Sequence, residues 1–262
     1  MTQRLIDRQV VRLLAGLLTM AIVLGVWEQA GRSGSVAFLP PVSEVAREVW
    51  TILSGPDLTN DVLPSVGRAL AGYLIGGMAG CLCGVLLGYF RRLEPWVRPS
   101  LEFLRAIPLP VLLPIAVAAM GGTNTMRISL IVAGAFWPVV LNAEQGTRSV
   151  DPRLIDSARM SGASTFEALR LVVWPATLPF IFAGLRTALG IALVLMVVSE
   201  MIASTSGLGY LVLQSQRLYA MSQMFAAVVI LGLLGYGFSL LFNVVERRTI
   251  SWYHQQKGLA DV

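Results

Sequence analysis

Charge is scarce in this 262-residue chain, where Asp, Glu, Lys and Arg together make up only 13% of the residues. Its sole lysine, Lys257, and sole histidine, His254, lie in the tail. No phosphate loop of the form Gly, any four residues, Gly-Lys-Ser/Thr occurs, which excludes ATP binding by that mechanism. No cluster of His, Cys and carboxylates has metal-ligand spacing, and no serine has a histidine partner within the apolar core, so metal sites and catalysis by this chain are not expected. The two cysteines, Cys81 and Cys83, stand two apart on one expected helix and point to different faces, so they cannot bridge each other.

Apolar residues are what the chain has instead. They reach 55%, with a mean hydropathy of +0.70, too apolar for a soluble globular domain of this length. Uncharged runs occupy 13–27, 69–90, 106–126, 128–143 and 218–245, and a sixth apolar region near 178–203 is broken only by Arg186 and Glu200. A spanning helix needs about 20 apolar residues. The expectation is an all-α integral membrane protein, a single domain over 1–262 with spans near 11–30, 69–90, 101–121, 127–144, 178–203 and 224–245. The first run reads as a retained span rather than a cleaved leader, because it continues to Ala30 without a small-residue cleavage site. Fourteen of the 20 Lys and Arg residues fall on one side if the N-terminus is inside, against Arg32, Arg47, Arg68, Arg127 and Arg217 outside. That bias places both termini and the loop 145–177 in the cytoplasm, and the basic pI then reflects topology rather than nucleic-acid binding.

Several segments carry local signals. After Pro40-Pro41, Ser43 is positioned to cap a short amphipathic helix with Val45, Val49 and Ile52 on one face. Gly72, Gly76, Gly80, Gly84 and Gly88 recur at every fourth residue of the second span, a stripe that lets another helix backbone approach closely, in this chain or in a second copy. Pro108, Pro110 and Pro114 must bend the third span; a broken helix can line a pathway or can be purely structural. In the loop, Asp151 can cap a helix with Pro152 at its first position, Gly162 can end it, and Ser164 with Glu167 forms the capping box of a second helix.

Asp156-Ser157-Ala158, Gly162, Val172, Trp174 and Pro175 stand at the spacing of the EAA loop of ABC importer permeases, which this segment resembles. Ser157, Val172 and Trp174 depart from the usual Ala, Ile and Leu. The segments at 39–50, 105–117 and 199–211 are similar to the subfamily that imports nitrate, sulfonates, taurine and bicarbonate. The resemblance implies a type I, MetI-like permease architecture that is not itself an enzyme. It implies further a homodimer, a pair of cytoplasmic ATPase subunits carrying the ATP and Mg, an extracytoplasmic binding protein, and residence in a bacterial inner membrane. Docking of the ATPase would fall to Leu154, Ile155, Asp156, Ser157, Ala158, Met160, Ser161, Gly162, Ala163, Ser164 and Pro175. A stand-alone secondary transporter or channel is the alternative; the internal repeat such folds often show is not evident here.

Inside the spans, Arg186 and Glu200 are costly if they face lipid unpaired, so both are expected to face the bundle interior. They lie on one helix roughly 21 Å apart and cannot pair with each other. Each either makes an interhelical hydrogen bond or acts on a solute: Arg186 by offering positive potential to an anion, Glu200 by shaping an outer gate with Ser204, Thr205 and Ser206. With Arg105 and Pro108 they are the candidate pathway residues.

Overall fold

The computed structural model describes residues 2–34, 36, 38–90, 92 and 94–251, with backbone only for 2–13 and Glu94. His254, Lys257, Arg91 and the side chains of Arg4, Arg8 and Arg12 lie outside the described residues. By internal contacts the chain divides into two compact units, Met1–Thr59 with Leu211–Leu231, and Asn60–Tyr210 with Gly232–Val262.

In the first unit, α1 (Thr2–Ser33) turns at Pro40-Pro41 into α2 (Val42–Ser54). Val45 and Ile52 are buried on the apolar face of α2, as its periodicity requires. Ser43 is not the cap, because the helix is entered at Pro41 without a side-chain cap. Its backbone N–H and hydroxyl instead donate to the Glu28 carboxylate of α1 at 3.0 and 2.8 Å, so an acidic group reaching from another helix meets the free donors of the first turn.

The second unit is built on α3 (Leu63–Tyr89), α6 (Asn124–Arg148) and α9 (Trp174–Ala203). The glycine stripe of α3 lies against α6 of the same chain. A Cβ built at Gly80 would fall 2.7 Å from the carbonyl oxygen of Phe136, and one at Gly76 would fall 2.9 Å from the Ala135 Cβ. No other residue would allow the two backbones this approach. The apolar run at 128–143 extends by helical turns at both ends to span 25 residues, carrying Arg127 and Glu144 into the helix.

The third predicted span is broken. α4 (Glu94–Ala106) and the 3₁₀ turn Leu109–Leu112 leading into α5 (Leu113–Met120) meet at a bend of 79° centred on Pro108. Proline removes backbone donors and sterically opposes the preceding turn, so closely spaced prolines redirect the chain rather than curve it. Counting the bent pair as one crossing, the described residues hold six candidate spans. A short helix α7 (Pro152–Met160) and the turn α8 (Thr165–Ala168) connect α6 to α9 through a π-helical turn, Leu169–Val173. α10 (Leu208–Arg217) and α11 (Met221–Thr249) are the last helices among the described residues.

Candidate functional site

The segment between α6 and α9 folds as its punctuation dictates. Asp151 accepts the Arg153 N–H at 2.9 Å, and Pro152 occupies the first helical position. At the other end Gly162 sits at φ 86°, with its N–H donating to the Arg159 carbonyl at 3.0 Å and the Ala163 N–H donating to the Ala158 carbonyl at 3.1 Å. This is the Schellman closure, which needs a left-handed residue where glycine stands. Both bonds of the next capping box form, Ser164 N–H to Glu167 at 2.7 Å and Glu167 N–H to Ser164 at 3.3 Å. The Schellman closure and the capping box follow each other directly, so the turn from α7 into α8 is fixed by bonds within the segment itself.

One face of α7 is held and the other is offered. Ile155 packs against a core containing Val85, Ala143, Val150, Val173 and Ile181, and the Arg159 guanidinium donates to the Tyr89 hydroxyl at 3.0 Å, pinning α7 to the end of α3. Ala158 and Ala163 are half-buried beside it, while Leu154, Asp156, Ser157, Ser161, Gly162 and Ser164 are exposed. Met160 is 88% exposed and Phe166 is 70% exposed. Leu154 and Met160 on α7 and Phe166 on α8 thus leave large apolar side chains exposed on an otherwise polar segment. Pro175 is half-buried in the first turn of α9. It follows the wider π turn, which spares the helix a donor that proline cannot supply. Trp174 does not enter the core; it lines an apolar groove of about 720 Å³ shared with Tyr73, Leu178 and Phe242.

The four candidate pathway residues do not come together in the described chain. Arg105 is exposed on α4 and lines a cleft of about 450 Å³ with Arg98, Glu102, Glu144 and Arg148. Pro108 marks the bend. Arg186, expected to face the interior, has an exposed side chain; it is paired with Glu246 of α11, donates to Asn243 at 3.1 Å and lies over the Phe242 ring. The carboxylate of Glu246, one helix away, meets the charge, which is the interhelical bond that the sequence offered as one of two readings. Glu200 does face inward and is fully enclosed, 0% exposed.

Around Glu200 the structure assembles a polar knot that loop-and-span reasoning missed. Its carboxylate accepts from Arg68 at 2.6 Å, from the Ser65 hydroxyl at 2.8 Å and from the Gly209 N–H at 3.0 Å. Arg68 also donates to Asn124 at 2.9 Å and to the Ser206 carbonyl at 3.1 Å, and Asn124 in turn accepts from Arg127 at 2.8 Å. Asp61 accepts the Gly207 N–H at 2.6 Å, and Ser65 accepts the Leu208 N–H at 2.8 Å. Arg68 and Arg127, read from sequence as charges of outside loops, are buried at 6% and 5% exposure. A signal existed, because Arg68 stands four residues before Gly72 and so continues the buried stripe by one turn.

Comparison with known proteins agrees with this architecture. Residues 72–251 match the family described as the binding-protein-dependent transport system inner membrane component. The chain is 33% identical over 246 residues to a putative aliphatic sulfonates transport permease, SsuC, of Bacillus subtilis, covering 93% of this chain and 89% of that protein. It is 30% identical to the taurine transport system permease TauC of Escherichia coli, covering 90% and 88%. With the nitrate import permease NrtB of Leptolyngbya laminosa it shares 27%, covering 94% and 91%. In fold it is similar to a chain of the inward-facing MetNI methionine ABC transporter, with a TM-score of 0.61 at 22% identity, covering 72% of this chain and 94% of that one. A bundle of spanning helices with an EAA-type corner between α6 and α9 thus belongs to the inner-membrane permease family of binding-protein-dependent ABC importers.

Proposed function

We propose that two copies of this chain form the path for a small anionic solute of the sulfonate, taurine or nitrate type. A binding protein would deliver the solute from outside, and a pair of cytoplasmic ATPase subunits, carrying the ATP and Mg, would seat on α7. The observation that carries this reading is the corner itself: a self-capped helix, fixed to the ends of α3 and α9, presenting Leu154, Asp156 and Met160 outward. Such a handle converts closure of an ATPase pair into rocking of the spans, since it has no internal freedom in which to lose the motion. Orientation with the corner and both termini in the cytoplasm gains support from the knot. With Arg68 and Arg127 buried, only Arg32, Arg47 and Arg217 remain as outside charges against fourteen inside. Solute chemistry is carried over from the named functions of the sulfonate, taurine and nitrate relatives. The cleft of Arg98, Arg105 and Arg148 with only two glutamates would favour an anion.

Co-expression with the candidate ATPase, purification and reconstitution with a loaded binding protein test this directly. ATP-dependent uptake of an alkanesulfonate, taurine or nitrate is expected, with none in the absence of ATP. Uptake driven by an ion gradient, with no ATPase bound, would establish a secondary transporter instead.

A further inference from the structure

α3, α6 and α9 share a feature beyond packing: each has one end in the polar knot and the other at the corner. α3 begins two residues before Ser65 and ends at Tyr89, which accepts from Arg159. α6 begins at Asn124 and ends at Arg148, and its Thr147 hydroxyl lies 3.3 Å from that of Thr177 near the start of α9. α9 begins just after the corner and carries Glu200 in its last turn. Three rods, each roughly 40 Å long, are therefore bound to one another at both ends.

At the knot end, Glu200 joins the rods to the turn 204–207 and to α10. Its carboxylate takes Arg68 and Ser65 from α3 and the Gly209 N–H from the first turn of α10. Gly207 stands at φ 122°, and a Cβ there would fall 2.5 Å from the Glu200 carboxylate, so the turn closes directly over the acid. The start of α10 is held by the Glu200 carboxylate together with Asp61 and Ser65, which accept the Gly207 and Leu208 N–H groups. We propose that Glu200 and Arg68 are positioning residues that tie the start of α10 to the three rods, so that movement of the corner is delivered to the opposite end of the bundle and arrival of a loaded binding protein there is reported back to the corner. The role rests on the importer reading above. It requires no contact between Glu200 and solute, in keeping with its enclosure. Two discrete states joined through a packed, hydrogen-bonded element are what such coupling demands, and a knot that fixes a turn supplies the element.

The test uses the reconstituted complex with its ATPase and binding protein. Glu200→Gln keeps the shape and removes the charge; Gly207→Ala displaces the carboxylate while changing no charge; Glu200→Asp keeps the charge on a shorter arm. The first two are expected to insert and co-purify with the ATPase at wild-type yield and to keep basal hydrolysis. Their stimulation by loaded binding protein should fall roughly tenfold, as a fixed docking surface becomes an ensemble, with Glu200→Asp recovering part of it. Full stimulation in both Glu200→Gln and Gly207→Ala would overturn the proposal. So would failure of all three variants to assemble, since the knot would then serve the fold alone. Failure of the importer reading is separable, because it appears in the wild-type complex as absence of ATPase binding or stimulation.

Discussion

Replacing Gly80 by alanine adds one methyl group at the seam between α3 and α6. That Cβ would lie 2.7 Å from the Phe136 carbonyl oxygen, 3.0 Å from the Val139 Cβ and 3.2 Å from the Val140 nitrogen. Ordinary contact begins near 3.5 Å, so α3 and α6 must part by about 0.8 Å or twist around the new group. Two of the three neighbours are backbone atoms, which cannot rotate away. A gap of this size along the seam forfeits roughly a quarter or more of each dispersion contact it opens, and overpacking of this kind costs about 1–3 kcal/mol. Gly67→Ala on the same helix provides the control, because a Cβ there meets nothing within 4 Å. It should be neutral or stabilising by up to about 1 kcal/mol from helix propensity alone. Thermal melting of the purified permease in one detergent, read as a rank order, distinguishes them. Gly80→Ala should melt roughly 2–12 °C lower than wild type, and Gly67→Ala no lower. Equal melting of the two variants would refute the close approach of α3 and α6.

Three further outcomes rest on the same packing and pairing. Gly162→Val meets open space but must hold φ near 86°; at a strain of about 1–2 kcal/mol it should insert and dimerise normally yet bind the ATPase poorly or hydrolyse without response to loaded binding protein, read by co-purification and stimulated ATPase activity. Arg186→Gln and Glu246→Gln should each lower the melting temperature, and the double variant should lose less than the sum of the two, because each single change strands the other member of the pair; strict additivity would show that the pair contributes nothing. In a background without Cys81 and Cys83, a membrane-impermeant thiol reagent added from outside should label cysteine at Asp57 or Thr125 and not at Ser164, the opposite pattern reversing the orientation.

Local chemistry made the corner legible in the sequence. Asp151, Pro152, Gly162, Ser164 and Glu167 each act within three residues of their own position, and all of their bonds form. The glycine stripe announced a close helix contact, but a period of four cannot say which helix answers it; α6 does. Ser43 misled because a better acceptor, Glu28, arrives from fifteen residues earlier. The polar knot was hidden for the same reason at longer range. Glu200 and Arg68 are 132 positions apart, and an arginine at the start of an apolar run reads as a loop charge until the helix is seen to begin before it. Arg186 shows the same limit, since its partner Glu246 stands 60 positions away on α11.

The proposed docking of an ATPase on α7 can be tested at a single contact. Met160 projects 88% exposed from the end of that helix; a photo-crosslinking amino acid placed there, in the complex co-expressed with the ATPase and binding protein, should join the permease to the ATPase subunit, and the adduct should be lost in the Gly162→Val background. An intact, transport-active complex in which position 160 crosslinks only to lipid, or to nothing, would show that the corner between α6 and α9 is not where ATP hydrolysis meets the membrane.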